Sequence, residues 1–533
     1  MEFISSLFRS HKDHNAGTEI LSGLTVALAL LPEAIAFAMI AGFSPITGLY
    51  AAFVMGFVTS ILGGRPGMIS GATGAVAVVF VGLTLALKEH IPGIEGEQIM
   101  QYVFATVILA GTIQILAGVF KLGKFVRLVP QPVMYGFVNG LAIVIFMAQF
   151  PNFTNIMHSN VGESEKIHEL AIMAGLVLLT MAIIWLLPKL TKKIPASLFA
   201  IVAVSALVIG FGIDTTTVAN TLEPGTHLSG GIPPISIPHI PWTMDSFLLI
   251  LPYSAIIAGV GLIESLLTLN LIDEITETRG SGNRECVAQG TANILSGFLS
   301  GMGGCAMIGQ SLINITAGAR QRLSGIVASI MLLVFVMFGS SVIEKMPMAA
   351  LVGVMFMVAI GTFEWASFKV FRKMPWIDVI VMIIVTLVTA ITHNLAIAVL
   401  IGIVLSALSY SWQSAQHIQV HSHTDIGGIK HYEIRGPLFF GSIKSFLDEF
   451  TPNNDANVII LDFKECRISD MSAINALHTL TDRYRKLNKE IHLRHLSEDC
   501  KILLSNAEAI IDVNILEDPH YKVVTDRIKE VIR

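Results

Sequence analysis

Between Leu21 and Leu408 the sequence passes through roughly fourteen apolar runs, most of them close to the ~20 residues that an α-helix needs to cross hydrocarbon. Lipid offers backbone N–H and C=O groups no partners, so runs of this length fold as helices packed side by side. Composition agrees: 53% of residues are hydrophobic, 14% are charged and the mean hydropathy is +0.70, against about 25% charged in soluble domains. We therefore expect a polytopic α-helical membrane protein. Met1 to Asn15 is polar and amphipathic with no small-residue cleavage pattern after it, so no cleavable leader is expected. The formal charge of −5 averages a membrane region with a soluble tail and points to no nucleic-acid partner.

The runs fall near 21–42, 46–62, 70–87, 99–120, 132–150, 171–187 and 196–213. After a polar, proline-rich loop at 214–241 they resume at 247–271, 287–300, a short one from 306, 325–342, 349–363, 377–392 and 397–408. Cytoplasmic loops retain Lys and Arg. Threading the runs from a cytoplasmic N-terminus puts Arg9, Lys12, Arg65, Lys124, Arg127, Lys192, Lys193, Arg284, Arg320, Arg322 and Arg372 inside, and leaves Lys88, Lys166 and Lys345 outside. Both termini are then cytoplasmic. About seven runs per half is an odd number, so the halves are expected to be oppositely oriented, as in an inverted repeat.

Two runs are interrupted, the third and the tenth. Glycines at 63, 64, 67, 71 and 74 break the first, and Gly301 to Gly304 break the second. Paired broken helices in the two halves mark a substrate site near the bilayer midplane. Each helix start exposes about four N–H groups and roughly +0.5 charge, so two facing starts hold an anion without Arg or Lys. Ser70 and Thr73 are suited to cap the first start with hydroxyls, and Gly71 and Gly74 let backbone approach a ligand. At the second start Gly304, Cys305, Ala306 and Met307 offer no hydroxyl, so backbone N–H groups would hold the ligand there. The competing reading of these glycines is close helix packing.

Glu264, in the middle of an apolar run, is costly in lipid and is a functional candidate. An anion and a carboxylate sharing a low-dielectric pocket repel, which calls for coupling to H⁺ or Na⁺. Thr268, one turn along the same face, is placed to offer a cation a second oxygen. Glu33 is a second intramembrane carboxylate, preceded by a proline that frees a carbonyl. Asn139, Gln310 and Asn314 read as interhelical bonds before ligands. The four cysteines show no metal or disulfide spacing and read as small apolar residues.

From about Gln413 the composition becomes that of a soluble α/β domain. Strand-like stretches at 429–435, 458–462 and 490–494 alternate with helical patterns at 443–450, 472–487 and 497–506. The expected organisation is an N-terminal cytoplasmic segment at 1–18, a transmembrane domain at 19–411 and a cytoplasmic domain at 412–533. No phosphate-binding loop or catalytic triad spacing is visible, and no enzyme activity is expected.

GLYAAF at 48–53, ISGATGAVAVV at 69–79, PVMYGFVNGLAIVI at 132–145, LIESLLT at 262–268, NILSGFLSGMGG at 293–304 and AGARQRLSGI at 317–326 resemble the SulP (solute carrier family 26) anion transporters. The tail, with LDFKECRISDMSAINAL at 461–477, resembles their STAS domain. The resemblance implies a homodimer in the plasma membrane, an inverted repeat of roughly seven plus seven segments and elevator-like alternating access. It places Gly71, Ala72, Thr73, Gly74, Cys305, Ala306 and Met307 at the anion, and Glu264 and Thr268 at the coupling cation or proton, with a possible Na⁺ there and no other cofactor. Where the sodium-coupled bicarbonate branch carries Asp with hydroxyl residues opposite, this chain has Glu264 facing Cys305-Ala306-Met307, which makes protons an alternative. Glu33 stands where many members carry Gln. Gln310 replaces a common Arg and favours a monovalent anion such as bicarbonate over sulfate. The expected function is coupled import of a small inorganic anion. The alternatives are H⁺-coupled sulfate transport, anion exchange, or a membrane anion sensor signalling through its tail. In related regulators a serine at the position of Ser472 is phosphorylated; the preferred reading here is a helix N-cap.

Overall fold

In the computed structural model of the chain, the described residues are 16–123, 130–158, 163–191, 195–221, 230–370, 373, 375–392, 395–416, 418–496, 500 and 514–516. Arg9, Lys12, Lys124, Arg127, Lys192, Lys193, Arg372 and all but one residue of the expected helix at 497–506 lie outside them. The chain divides into two compact units, Met1–Ile403 and Val404–Arg533.

The first unit contains helices α1 (Ala16–Ile40), α2 (Pro45–Leu62), α3 (Gly74–His90), α4 (Gly96–Val119), α5 (Gln131–Met147), α6 (Glu163–Leu190), α7 (Ala196–Phe211), α8 (Met244–Thr276), α9 (Gly282–Phe298), α10 (Ile308–Thr316), α11 (Leu323–Glu344), α12 (Met348–Thr362) and α13 (Trp376–Thr392). Helix α14 (Leu395–Ala415) runs through the boundary between the units, and the expected boundary at 411/412 falls within it. Among the described residues nine helical segments are long and apolar enough to cross a bilayer, and α7 and α13 are shorter apolar helices. The remaining three are α3 and α9, of 17 residues each, and α10, of 9. Two of these begin at the glycine breaks, and the third, α9, buries polar side chains.

Helix α9 lies directly on α4. A Cβ on Gly111 of α4 would sit 2.5 Å from Gly290 O, and a Cβ on Gly290 would overlap Gly111 O in return. Gly118 and Gly297, seven residues further along each helix, repeat the close approach. Small residues let the backbones meet and so bring the polar face of α9 into the core.

Helix α1 starts before the expected position at 21 and takes Glu19 into the interior, 2% exposed. Its carboxylate accepts from the N–H groups of Arg320 at 2.6 Å, Gln321 at 3.0 Å and Ser324 at 3.2 Å, so it caps the start of α11 from another helix. Arg322 does the opposite job, donating to Ser60 O and Gly63 O at the end of α2, while Arg320 donates to Ile315 O at the end of α10.

Among the described residues the second unit holds a five-stranded sheet, β3 (Gln419–Thr424), β4 (Lys430–Leu438), β5 (Val458–Ile468), β6 (Glu490–Arg494) and β7 (Asn514–Leu516), in that spatial order. Only the β3–β4 pair is antiparallel. Helices α15 (Ile443–Asp448) and α16 (Met471–Arg485) supply Phe446, Ile474, Leu477 and Tyr484 to a core closed by Ile459, Leu461 and Leu493 from the sheet. The expected strands and helices at 429–494 are present. Strand β3 was not expected, because all but one of its side chains are exposed and it carries no apolar alternation.

Candidate functional site

The two glycine breaks meet. Each contains a two-residue strand, β1 (Ser70–Gly71) and β2 (Cys305–Ala306), and these pair antiparallel with Ser70 opposite Ala306 and Gly71 opposite Cys305. Met307 N donates to Ile69 O at 2.9 Å and extends the ladder. Strand β1 leads into α3 and β2 into α10, so antiparallel pairing aims the two helices in opposite directions with their starts on either side of the ladder. Gly304 permits this, since a Cβ there would overlap Gly71 O. The second helix begins at Ile308, two residues beyond the expected start at 306.

A row of buried polar residues on α9 holds the ladder in place. Glu285 accepts from Gly64 N at 2.8 Å and from Gln289 Nε2 at 2.7 Å, and the same nitrogen donates to Ser70 Oγ at 2.8 Å. Asn293 Oδ1 accepts from Gly304 N at 2.9 Å, its Nδ2 donates to Gly304 O at 3.1 Å, and Ser296 Oγ accepts from Gly303 N at 3.1 Å. From α8, Ser265 Oγ accepts from Ala306 N at 3.1 Å; from α10, Ser311 Oγ accepts from Ile69 N at 3.0 Å and Asn314 Nδ2 donates to Gly67 O at 2.9 Å. Backbone that cannot pair within a helix is thus paired by side chains. The sequence reading missed this scaffold, although Glu285, Gln289 and Asn293 stand at helical i, i+4, i+8 spacing, a polar face in an otherwise apolar context.

The expected hydroxyl caps are corrected. Ser70 lies on β1, four residues before α3, and its hydroxyl is taken by Gln289. Thr73 is the N-cap of α3 and Met307 that of α10, but neither side chain bonds its own helix. Their first-turn N–H groups are left for a ligand or water. Around them the lining is apolar: a Cβ on Gly71 would meet Leu30 and Met307 Sδ at 3.2 and 3.3 Å, and one on Gly74 would meet Phe37 and Ile145 at 2.8 and 3.0 Å. Ala72 is fully buried.

Two half-buried carboxylates flank the start of α10. Glu264 Oε2 accepts from Cys305 Sγ at 2.9 Å, and the same sulfur lies 3.4 Å from Thr73 Oγ1. Cys305 is therefore a hydrogen-bonding group and not the small apolar filler expected of it. Glu33 Oε2 accepts from Gln310 Nε2, in the first turn of α10. Among the described residues neither carboxylate has a Lys or Arg partner. Thr268 is fully buried, and its hydroxyl donates to the main-chain O of Glu264 at 2.8 Å. Of the groups there, the Glu264 carboxylate and the Thr268 hydroxyl are oxygens of the kind a hard cation takes, and the Cys305 thiol set against the carboxylate is not. Asn139 acts as an interhelical bond: it donates to Ser367 Oγ at 3.1 Å and accepts from Glu364 N at 2.8 Å.

In the second unit the expected cap at Ser472 is also corrected. Asp470 is the N-cap of α16, accepting from Ala473 N at 2.8 Å, and its other oxygen accepts from Phe440 N at 2.8 Å. A carboxylate two residues earlier has the reach to bond the third N–H, and Ser472 lies within the first turn.

The model of the family described as "Sulfate permease family" matches residues 17–385, and that of the STAS domain matches residues 418–517. The chain is 39% identical to the putative sulfate transporter YbaR of Bacillus subtilis, over 92% of this chain and 96% of that one. It is 28% identical to the bicarbonate transporter BicA of Picosynechococcus, over 90% and 88%. Among solved structures, the transmembrane domain of a cyanobacterial bicarbonate transporter BicA superposes with a TM-score of 0.61 at 26% identity, covering 72% of this chain and 97% of that one. The murine anion transporter Slc26a9 in its inward-facing state shares the fold over 95% of this chain and 90% of its own, with a TM-score of 0.78 at 16% identity.

Proposed function

The chain belongs to the sulfate permease family and is a multi-pass anion transporter, not an enzyme; from that premise we propose that it carries a small inorganic oxyanion together with protons, sulfate being the first reading. The carrying observation is the pair of carboxylates beside the helix starts, each bonded to a neutral donor, Glu264 to Cys305 and Glu33 to Gln310. Two helix starts supply roughly +0.5 charge each, about one unit together. Two ionised carboxylates outweigh that, so an anion binds only after protons arrive, and a doubly charged anion benefits from both. The same charge count weighs against the bicarbonate expectation. A proton carried with bicarbonate moves the equivalent of CO₂, which crosses bilayers unaided, so proton coupling gains little.

Bicarbonate remains the second reading, favoured by the lack of a cationic side chain at Gln310 and by the names of the relatives that share about a quarter of its residues. The remaining parts of the proposal are symport by elevator-like alternating access, a homodimer, and residence in the plasma membrane with both termini cytoplasmic. Uptake of labelled sulfate and labelled bicarbonate into proteoliposomes, with pH and Na⁺ gradients imposed separately, tests the core of it. We expect sulfate uptake to follow an inward proton gradient, to ignore Na⁺, and to lose its proton response in Glu264→Gln. Bicarbonate uptake driven by Na⁺ would sink the proton reading.

A further inference from the structure

We infer that Cys305 couples the proton to the anion, by reversing the direction of a hydrogen-bond chain that runs from the Glu264 carboxylate to the Thr73 hydroxyl. Two contacts define the chain, 2.9 Å from Cys305 Sγ to Glu264 Oε2 and 3.4 Å from Cys305 Sγ to Thr73 Oγ1. Cys305 is fully buried and Thr73 is 2% exposed, so bulk solvent reaches neither. The inference rests on the proton-coupled reading above.

Each group in the chain has one rotor and at most one hydrogen. While Glu264 is ionised its oxygens only accept, so the Cys305 S–H points at them. The sulfur then has only lone pairs left for Thr73, whose O–H must donate to sulfur and turns away from any ligand. When Glu264 takes a proton from a hydronium ion, which leaves as water, its new O–H donates to the sulfur. The S–H turns to Thr73 Oγ1, and the Thr73 O–H is released toward the start of α3, where it joins the N–H groups from Gly74 onward around the anion. Every hydroxyl and thiol keeps its own hydrogen throughout. The net change is one proton bound to Glu264, with no other bond made or broken. By linkage, an anion already held by Thr73 draws the proton onto Glu264 by the same factor.

Among the described residues no other charged group bonds to the chain. On the elements packed against α8, Glu97 and Tyr102 lie on α4, Lys88, Glu89 and His90 close the far end of α3, and Arg284, Glu285 and Cys286 open α9. On α8 itself Asp245, Tyr253, Asp273 and Glu274 lie more than two turns from Glu264. Helix α10 carries no titratable residue, and Glu33 of α1 is bonded to Gln310. Among the described residues only Cys305 bonds to the Glu264 carboxylate through a side chain.

The test measures KM for labelled sulfate, or for labelled bicarbonate if that is what the wild type takes up, in proteoliposomes of the full chain as pH is lowered. In the wild type KM should fall with pH. A hydrogen bond to a charged partner changes binding about ten- to a hundred-fold, so in Cys305→Ala the acid-side KM should stay at least about ten-fold above wild type and fall less steeply with pH, the fall that remains being the charge that Glu264 and Glu33 lose on protonation. Cys305→Ser keeps one hydrogen and one acceptor and should restore both. Thr73→Val cuts the other end at nearly the same shape, and combined with Cys305→Ala should be no worse than either alone. Wild-type pH dependence in Cys305→Ala or Thr73→Val, its loss in Cys305→Ser, or additive effects in the double variant would overturn the relay. A wild type driven by protons with an unaffected Cys305→Ala sinks the relay alone; a wild type indifferent to the proton gradient sinks the relay and the proton reading together. Should Cys305→Ala fail to fold, Thr73→Val and Cys305→Ser decide the matter.

Discussion

Gly304 carries more of the site than any charged residue, because the two strands meet only where it lacks a side chain. A Cβ there would overlap Gly71 O and lie 3.2 Å from Ala72 Cα, both backbone atoms that cannot swing aside. Gly304→Ala must therefore separate β1 from β2. Its flux per reconstituted protein should vanish, while Gly339→Ala, where a Cβ meets nothing within 4 Å, keeps its flux. Equal flux in the two variants would show that transport does not need the ladder. Both membrane carboxylates were legible in the sequence because lipid makes them costly unless used, and the glycines because they interrupt apolar runs in both halves. Cys305 was placed at the anion by resemblance, but its side-chain bond was not legible, because its partner Glu264 is 41 positions away and a cysteine in an apolar run normally packs as a small apolar group. Ser70 was misjudged for a related reason: a hydroxyl before a helix reads as a cap until another helix offers a better donor, here Gln289.

Helix α3 joins two kinds of electrostatic feature, the break at its start and Lys88 in its last turn. Its far end borders a cavity of about 940 Å³, lined by residues such as Met39, Tyr50, Thr84, Gln149 and Met355. Among the described residues lining it, Lys88 is the only charged one. A lone cation over low-dielectric walls concentrates anions, and the effect fades as salt screens it. Lys88→Gln should raise the anion KM several-fold at low ionic strength and converge with wild type at high salt. A salt-independent difference would make Lys88 a partner of the helix end and nothing more. The apolar helices themselves were the easiest elements to read, since a run of about twenty apolar residues has few other uses. Helix α9 and strand β3 were harder for opposite reasons. One hides polar residues inside, and the other shows polar residues to water, so neither follows the pattern of its class.

The second unit has a hydrophobic core of its own, whose described members run from Ile418 to Cys500. Residues 412–533 should therefore fold alone and unfold cooperatively. Within that core the Asp455 side chain is fully buried and meets Lys430 Nζ at 2.5 Å, Tyr432 OH at 2.8 Å and the Tyr484 hydroxyl. Burial raises its pKa, but the bonds from Lys430, Tyr484 and Tyr432 outweigh burial and hold the carboxyl below the usual value of 3.8. A carboxylate whose native pKa lies below its unfolded one stabilises the fold at every pH above the unfolded value, and that contribution is lost as pH falls through the native one. Asp455→Asn should cost the isolated tail about 1–3 kcal/mol at neutral pH. Because the variant has no proton to gain there, its stability should also fall less steeply in acid than that of wild type. Chemical denaturation of both fragments across the acid range measures this, and parallel acid profiles would mean that other carboxylates, not Asp455, set the response of the tail to acid.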